Sequence, residues 1–398
     1  MNALSIASAA LPSIVASRLA LAGAVEIAAR VVEKRSTYPV LSNLRLRGDG
    51  SHLFITGTDL DVYLDVRVDG AADASFDVTM PAGLLKALLK GAPKSAEFAA
   101  ITAPDWPVLK PGDKRQSATA VLDMEAITTT VACLHPESFP NDLRATFSHR
   151  FTMAGADLLE SLAAVSFAMS SEETRYYLNG VYWHVYDDRQ SGLHLLRMVA
   201  TDGHRMARHD AVIAPAGATG MPGVIIPSKT IILLQKLMAG KKCPATVEIE
   251  IGEKHVRFLF GDVTITSKVI DGTFPDYDRV TPKNNDKSMR ADSKALTAAI
   301  GQVSALATDR GGKAVKLYAH SGRLTLSVNN PDHGEASTEM PVEFDPEHFE
   351  IGFNARYLID ILAHLPGEVE FMFNDAGSPT LIRKIGGDTL YVLMPLRV

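Results

Sequence analysis

Apolar residues recur along this chain in two alternating rhythms. In residues 81–91, 228–240 and 354–367, Leu and Ile fall at three- and four-residue spacing, behind a small or polar start and ahead of a Gly suited to a left-handed cap. Each stretch predicts a short amphipathic helix. Alternating, strand-like residues follow each one, over 96–101, 246–251 and 369–373. A second, Ala-rich helical pattern precedes each of the first by about 50 to 75 residues, over 18–34, 155–169 and 292–307. Between the two helices lies a hairpin-like pair of strands: 44–47 with 53–56, 181–185 with 195–200, and 315–318 with 324–328. The order helix, strands, helix, strands therefore occurs three times.

The pattern resets near 140–144 and 282–287, both rich in turn residues, which divides the chain into domains 1–144, 145–284 and 285–398. Three unrelated α+β modules or one large mixed sheet are the alternatives; two helix types recurring in one order favour a repeat. A short tail leads into a first strand near 13–16. The first 17 residues are uncharged, and no basic segment opens them as a secretion signal requires.

Composition narrows the class. A chain of 398 residues, 46% hydrophobic, 22% charged and 7% aromatic, has the profile of a folded protein of two to four domains. Cys133 and Cys243 lie far apart and outside any Cys-x-x-Cys pattern, so neither a disulfide framework nor a zinc site is indicated, and a reducing cytoplasm is expected. No apolar run approaches the length needed to span a bilayer. No metal or other cofactor is expected.

Charge is distributed unevenly. Residues 18–35, 81–94, 155–175, 228–242, 292–313 and 354–367, the helices and their ends, carry +7 together, leaving −13 for the rest of a chain whose net charge is −6. Lys86, Lys90 and Lys94 recur every four residues and so share a helix face. A basic helical face suits a phosphate backbone without reading its sequence. Lys86, Lys90, Lys229 and Lys236 are candidate DNA contacts on this ground.

Candidate chemistry concentrates in residues 198–207, read with 175–180. An apolar strand runs into Thr201-Asp202-Gly203, a turn sequence, and leaves through Met206 with His204 and Arg205 beside it. The bend gathers an apolar side chain, an imidazole and a guanidinium at a sheet margin. A hydrolase built on Asp202 and His204 would need a nucleophile with a positioned base, and a metal site would need ligands at recognised spacing; neither pattern surrounds His204.

These residues resemble a known family, the bacterial sliding clamp, the beta subunit of DNA polymerase III. The resemblance rests on residues 57–60 (Gly-Thr-Asp-Leu), 175–180 (Arg-Tyr-Tyr-Leu-Asn-Gly), 199–205 (Val-Ala-Thr-Asp-Gly-His-Arg), 266–277, 351–354 and 391–398. Together they run through nearly the whole chain in order. The resemblance implies an α+β fold of three repeated clamp domains, each with two helices packed on antiparallel sheets. It further implies a homodimer closed head to tail into a six-domain ring, helices lining a hole for duplex DNA. It implies no catalysis; consistently, the chain has no Gly-x-x-x-x-Gly-Lys-Ser/Thr phosphate loop. The implied partners are double-stranded DNA, the DNA polymerase III alpha subunit, the ATP-driven clamp loader, and other polymerases and repair proteins that dock short peptides. A specialised paralogue, binding an inhibitor or independent of a loader, is the alternative within the same fold.

By position, the resemblance implies a peptide pocket between the second and third domains. One part would be Leu178, Thr201, Gly203, His204, Arg205, Met206, Pro275 and Val280. The other would be Arg175, Asn354, Tyr357, Pro379, Val392, Met394, Pro395 and Arg397. Leu178, Met206, Val280 and Met394 would bury Leu or Phe anchors, while Arg175, Arg205, Asn354 and Arg397 would bond the peptide's polar groups. It also implies DNA contacts at Arg35, Tyr176 and Tyr177.

Three departures from the family stand out. Pro379 replaces a residue that is usually small and polar. Near Val131 and Leu306, where the family often places bulky apolar side chains at the ring-closing contact, this chain carries Thr128, Thr129, Thr130 and Ala305, which bears on dimer strength. Residues 102–117, with three prolines and Trp106, read as an enlarged loop of no inferred function.

Overall fold

The computed structural model of the chain describes residues 11–33, 37–106, 117–125, 127–140, 143, 145–188, 192–306, 314–344, 346 and 348–397. Arg35 and most of the 102–117 loop lie outside the described residues.

The first repeat runs β1 (Ser13–Ser17), α1 (Arg18–Ala28), β2 (Asn43–Gly48), β3 (His52–Thr58), β4 (Val62–Ala72), β5 (Asp77–Pro81), α2 (Ala82–Gly91), β6 (Phe98–Thr102), β7 (Ser117–Met124) and β8 (Ile127–Leu134). The second runs β9 (His149–Ala154), α3 (Gly155–Ser166), β10 (Gly180–Asp188), β11 (Leu193–Thr201), β12 (Arg205–Ile213), β13 (Val224–Pro227), α4 (Ser228–Met238), β14 (Thr246–Ile251), β15 (His255–Phe260) and β16 (Val263–Lys268). The third runs β17 (Lys287–Asp292), α5 (Ser293–Ser304), β18 (Ala314–His320), β19 (Arg323–Asn330), β20 (Gly334–Pro341), the short β21 (Glu343–Phe344), β22 (His348–Asn354), α6 (Ala355–Leu362), β23 (Glu368–Phe373), β24 (Thr380–Arg383) and β25 (Thr389–Leu393). The same succession of strand, helix, four strands, helix and three strands is thus used three times, the third copy adding β21.

This corrects the expected hairpin pair between helices: four strands stand there, not two. Some of those missed break the alternation with charge, as in Asp65, Arg67 and Asp69 of β4, or are very short, as in β13. Helices also end earlier than their apolar period. Gly240 and Gly367 take positive φ (63° and 90°), whereas Gly91 does not, because α2 exits through extended Ala92.

Two compact units result, 1–152 with 244–268, and 153–243 with 269–398. In the first, α1 and α2 pack together, and Leu21, Val25, Leu85 and Leu89 from their inner faces join Leu44, Ile55, Val66 and Ile101 from the strands in one core. Strands β14 to β16 extend the same antiparallel sheet through β16 on β4, with Ser267 opposite Val62. In the second unit, α3 packs on α4 and α5 on α6. There β25 joins β12, with Met206 opposite Val392, so that strands of the second and third repeats share one nine-stranded sheet. Both junctions follow one rule: the last strand of a repeat pairs with the third strand after the first helix of the repeat before it.

Gly23 in α1 and Gly301 in α5 are exposed, and a Cβ at either meets nothing within 4 Å. Gly23→Ala and Gly301→Ala should each raise stability by about 0.5–1 kcal/mol in urea unfolding. Gly57→Ala, whose Cβ would lie 2.3 Å from the Ala28 carbonyl oxygen, should lower it by about 1–3 kcal/mol.

Candidate peptide cleft and basic helix faces

The turn between β11 and β12 is built by its own polar side chains. Thr201 Oγ1 accepts from Gly203 N–H (3.1 Å) and donates to the Arg205 carbonyl (2.7 Å), while Asp202 Oδ1 accepts from the N–H groups of His204 (2.9 Å) and Arg205 (3.0 Å). Gly203 takes φ +87°, a left-handed conformation that favours glycine. The first repeat carries the same turn. Leu60 takes φ +78°, its N–H bonds Thr58 Oγ1 (3.0 Å), and Asp59 Oδ1 accepts from Asp61 and Val62 (3.1 and 2.8 Å).

Past this turn in the second unit, Leu178, Val199, Met206, Ile225, Phe274, Tyr277 and Val392 form a buried apolar cluster. Next to it opens a cavity of about 510 Å³ whose lining includes Val280, Thr281, Lys283, Asn285, Pro379 and Met394. Val280 and Met394 are 53% and 41% exposed, unusual for apolar side chains and suited to meeting an apolar ligand. The Val280 and Thr281 N–H groups both bond the Tyr277 carbonyl (3.2 Å each), tying the cavity rim to the cluster.

The two expected parts of the pocket are adjacent in this unit. Leu178, Met206 and Val392 lie in the cluster; Val280, Pro379 and Met394 line the cavity; exposed Pro275 follows Phe274. Met394 N–H bonds the His204 carbonyl (2.9 Å), and Leu396 N–H, between Pro395 and Arg397, bonds Gly352 (2.8 Å). Tyr357 lies under the His204 ring (6.3 Å between centroids). Asn354 caps α6 through Arg356 N–H (3.0 Å), and exposed Arg175 pairs with Glu172 (3.3 Å).

Arg205 is engaged within its own unit. Its guanidinium binds Asp202 (3.1 Å), Asp360 on α6 (2.6 Å) and the Phe167 carbonyl beyond α3 (2.8 Å), and lies 4.4 Å from the Tyr357 ring centroid. Three of its five N–H groups are committed inward, so it braces the turn against two helices. Asp202, spent on backbone N–H groups and Arg205, does not orient the His204 ring, so the geometry gives no acid–base pair.

Residues that sequence reasoning missed are Val199, Ile225, Phe274 and Tyr277 in the cluster, and Arg279, Lys283 and Asn285 around the cavity. The first four read as ordinary core. Asn285 holds the cavity's far side, donating to the carbonyls of Met372 (2.7 Å) and Pro379 (3.0 Å).

Of the candidate DNA contacts, Lys86 and Lys90 project from α2, Lys86 at 3.9 Å from Glu26 of α1; Lys229 and Lys236 project from α4. Tyr176 and Tyr177 meet edge to face (5.7 Å). The positive charge belongs mainly to α2 and α4, since the exposed face of α3 carries Asp157 and Glu160.

A threefold repeat of paired helices on antiparallel sheets, joined strand to strand and opening a cavity beside its second junction, defines a clamp-type scaffold. Models of the N-terminal, central and C-terminal domains of the DNA polymerase III beta subunit match residues 13–105, 152–276 and 278–397 in that order. The chain belongs to the DNA polymerase III beta subunit family, the beta sliding clamps. It is 38% identical over 383 residues to the beta sliding clamp of Caulobacter vibrioides, covering 96% of this chain and 98% of that one. Against the beta sliding clamp of Escherichia coli K12 it is 32% identical over 369 residues, covering 92% and 94%. The sliding clamp of Bartonella birtlesii, solved bound to griselimycin, superposes with a TM-score of 0.88 at 37% identity, covering 97% of this chain and all of that one.

Burial pushes the pKa values of His184, His209 and His364 in the second unit below the usual imidazole value. The unfolded chain takes up these protons first, so stability is fully present above about pH 6.5 and falls as pH drops below it. The melting temperature should therefore be lower at pH 5.5 than at 7.5, and His209→Asn should reduce the difference.

Proposed function

We propose that this chain is a non-catalytic processivity clamp acting in the cytoplasm. Two copies close head to tail into a six-domain ring around duplex DNA. The ring tethers the DNA polymerase III alpha subunit, the clamp loader, and other polymerases and repair proteins through the cleft.

The observation that carries the reading is a pair of open strand edges. β16 is paired on β4 and β25 on β12, but the equivalents at the chain's two ends, β8 and β20, lack such partners among the described residues. β8 meets β5 only at Leu134, and β20 pairs with β19 alone. A long open edge invites another strand. Antiparallel pairing of β8 with β20 of a second copy, repeated by symmetry, satisfies both edges and closes the assembly. Val131 is buried in its own core while Thr128, Thr130 and Ala305 are exposed, so the closing contact rests on the ladder more than on large apolar side chains. Lys86, Lys90, Lys229 and Lys236 supply mobile point charges that follow phosphates without fixing register, with Tyr176, Tyr177 and Arg35 at the family's DNA positions.

Native mass measurement should give a species near twice 42.9 kDa. Loaded by its partner, the dimer should stay on circular DNA and leave once the circle is cut; equal retention on both would contradict topological tethering. For the cleft, griselimycin, found on two relatives, is a convenient ligand. Removing residues 394–398 should abolish its binding with the circular dichroism spectrum unchanged, and undiminished affinity would move the site elsewhere.

A further inference from the structure

Tyr277 serves the cleft from three directions. Its ring is part of the apolar cluster, and its carbonyl gathers the N–H groups of Val280 and Thr281 together with Thr281 Oγ1 (3.0 Å). Its hydroxyl leaves the cluster for a polar layer on β10 to β12, where it lies 2.8 Å from His184 Nε2 and 3.3 Å from Arg197 Nη1.

The chemistry of the partners fixes every direction in this chain. The Val185 carbonyl only accepts, so His184 Nδ1, 3.0 Å away, carries the imidazole proton. His184 Nε2 is then an acceptor and takes the Tyr277 O–H, and the Tyr277 oxygen accepts from Arg197. Arg197, 3% exposed, is itself held by both oxygens of Asp210 (2.5 and 2.9 Å) and lies 3.4 Å from the Tyr186 ring centroid. Phe274 is fixed by a parallel strut, stacked on Tyr182 (4.9 Å, 7°), which stacks on His184 (4.9 Å, 26°).

We propose that the chain from Arg197 through Tyr277 and His184 to the Val185 carbonyl sets the position of the 276–281 wall, making Tyr277 and His184 positioning residues for the apolar peptide that the cleft takes. The proposal rests on the cleft reading above. Neither side chain lines the cavity; both act through Val280. An aromatic ring in an apolar cluster can slide at small cost, whereas a buried donor chain with one allowed direction has one position. Removing the hydroxyl strands Arg197 Nη1 and His184 Nε2 in a buried layer, and the wall must shift to satisfy them.

Protonating His184 disturbs the same chain differently: imidazolium donates at both nitrogens, so Nε2 can only donate to the Tyr277 oxygen and the Tyr277 O–H loses its acceptor. The charged groups facing it are Arg197 and Asp210 from β11 and β12, and Asp278 from the wall itself. Arg197 and burial oppose the proton and the two carboxylates favour it, with burial the largest influence. Peptide affinity should therefore weaken as pH falls.

Griselimycin binding to the full-length protein, measured by calorimetry between about pH 7.5 and 5.5, tests this. Tyr277→Phe should weaken binding about tenfold at pH 7.5, the worth of one net hydrogen bond, with native mass unchanged and most of the pH dependence gone. His184→Gln, whose amide oxygen can still accept the Tyr277 O–H, should bind within about threefold of the parent at pH 7.5 but with a flat pH profile. Unchanged affinity in Tyr277→Phe, or a parental pH profile in His184→Gln, overturns the proposal even if Tyr277→Phe proves unstable. If the parent protein itself does not bind, or binds equally without residues 394–398, the cleft reading fails and takes the proposal with it.

Discussion

Strand edges must be paired, and that requirement organises this protein. Backbone N–H and C=O groups left open along a strand of six or more residues are costly when buried and adhesive when exposed. In the first two repeats, the third strand after the first helix is completed by the last strand of the next repeat, and in the third, β20 pairs with β19 alone among the described residues. β16 on β4 and β25 on β12 are two instances of one solution. The three sequence domains are thus not three independent packing units, since residues 246–268 of the second repeat complete the sheet of the first. Mutations at either seam should be felt by two repeats at once.

The cleft is a by-product of the second seam. Pairing β25 with β12 sets Val392 opposite Met206, and just beyond the ladder Met394 bonds the His204 carbonyl. The first seam reproduces the backbone, with Thr58-Asp59-Leu60 hydrogen-bonded as Thr201-Asp202-Gly203 is, yet its side chains differ. Where the second seam has His204, Arg205 and Met206, the first has Asp61, Val62 and Tyr63, with Asp61 bound to Lys268 at 3.0 Å. A small apolar cluster in the first repeat consists of Val40, Leu41 and Phe139 among the described residues. One backbone frame, used twice, has been given two surfaces: the cavity at the first seam, about 620 Å³, is lined by Arg47, Asp65, Arg67 and Asp262 among others, whereas that at the second has exposed Val280 and Met394.

What was legible in the sequence follows from how local each signal is. Helix periodicity and the turn at 201–203 are written within a few residues, so α1 to α6 and the Thr-Asp-Gly bend could be read directly. Strands such as β4 could not, because Asp65, Arg67 and Asp69 face outward on a strand whose inner face is Leu64, Val66 and Val68; the motif match nevertheless carried the fold past that gap. The bracing role of Arg205 is not legible locally, because its partner Asp360 lies 155 residues away. Tyr277 was passed over for the opposite reason. An aromatic after a turn reads as core, and only the placement of His184 and Arg197, 93 and 80 residues distant, turns its hydroxyl into a constraint.

The first helices of the repeats carry an expense that packing does not explain. Leu19, Ala20 and Gly23 on α1, Ala156 on α3, and Ala295, Ala298 and Gly301 on α5 are exposed, and glycine inside a helix costs about 1 kcal/mol against alanine. No neighbour occupies the space a Cβ would take at Gly23 or Gly301, so the core does not require them. A clamp that moves along its template needs a surface that attracts phosphates but holds none of them in register. On the reading proposed above, lysines on α2 and α4 provide the attraction, and short side chains on α1 and α5 offer few hydrogen-bonding groups that could arrest motion. On that reading, stability forgone on those faces answers to what passes beside them, a demand that lies outside the fold.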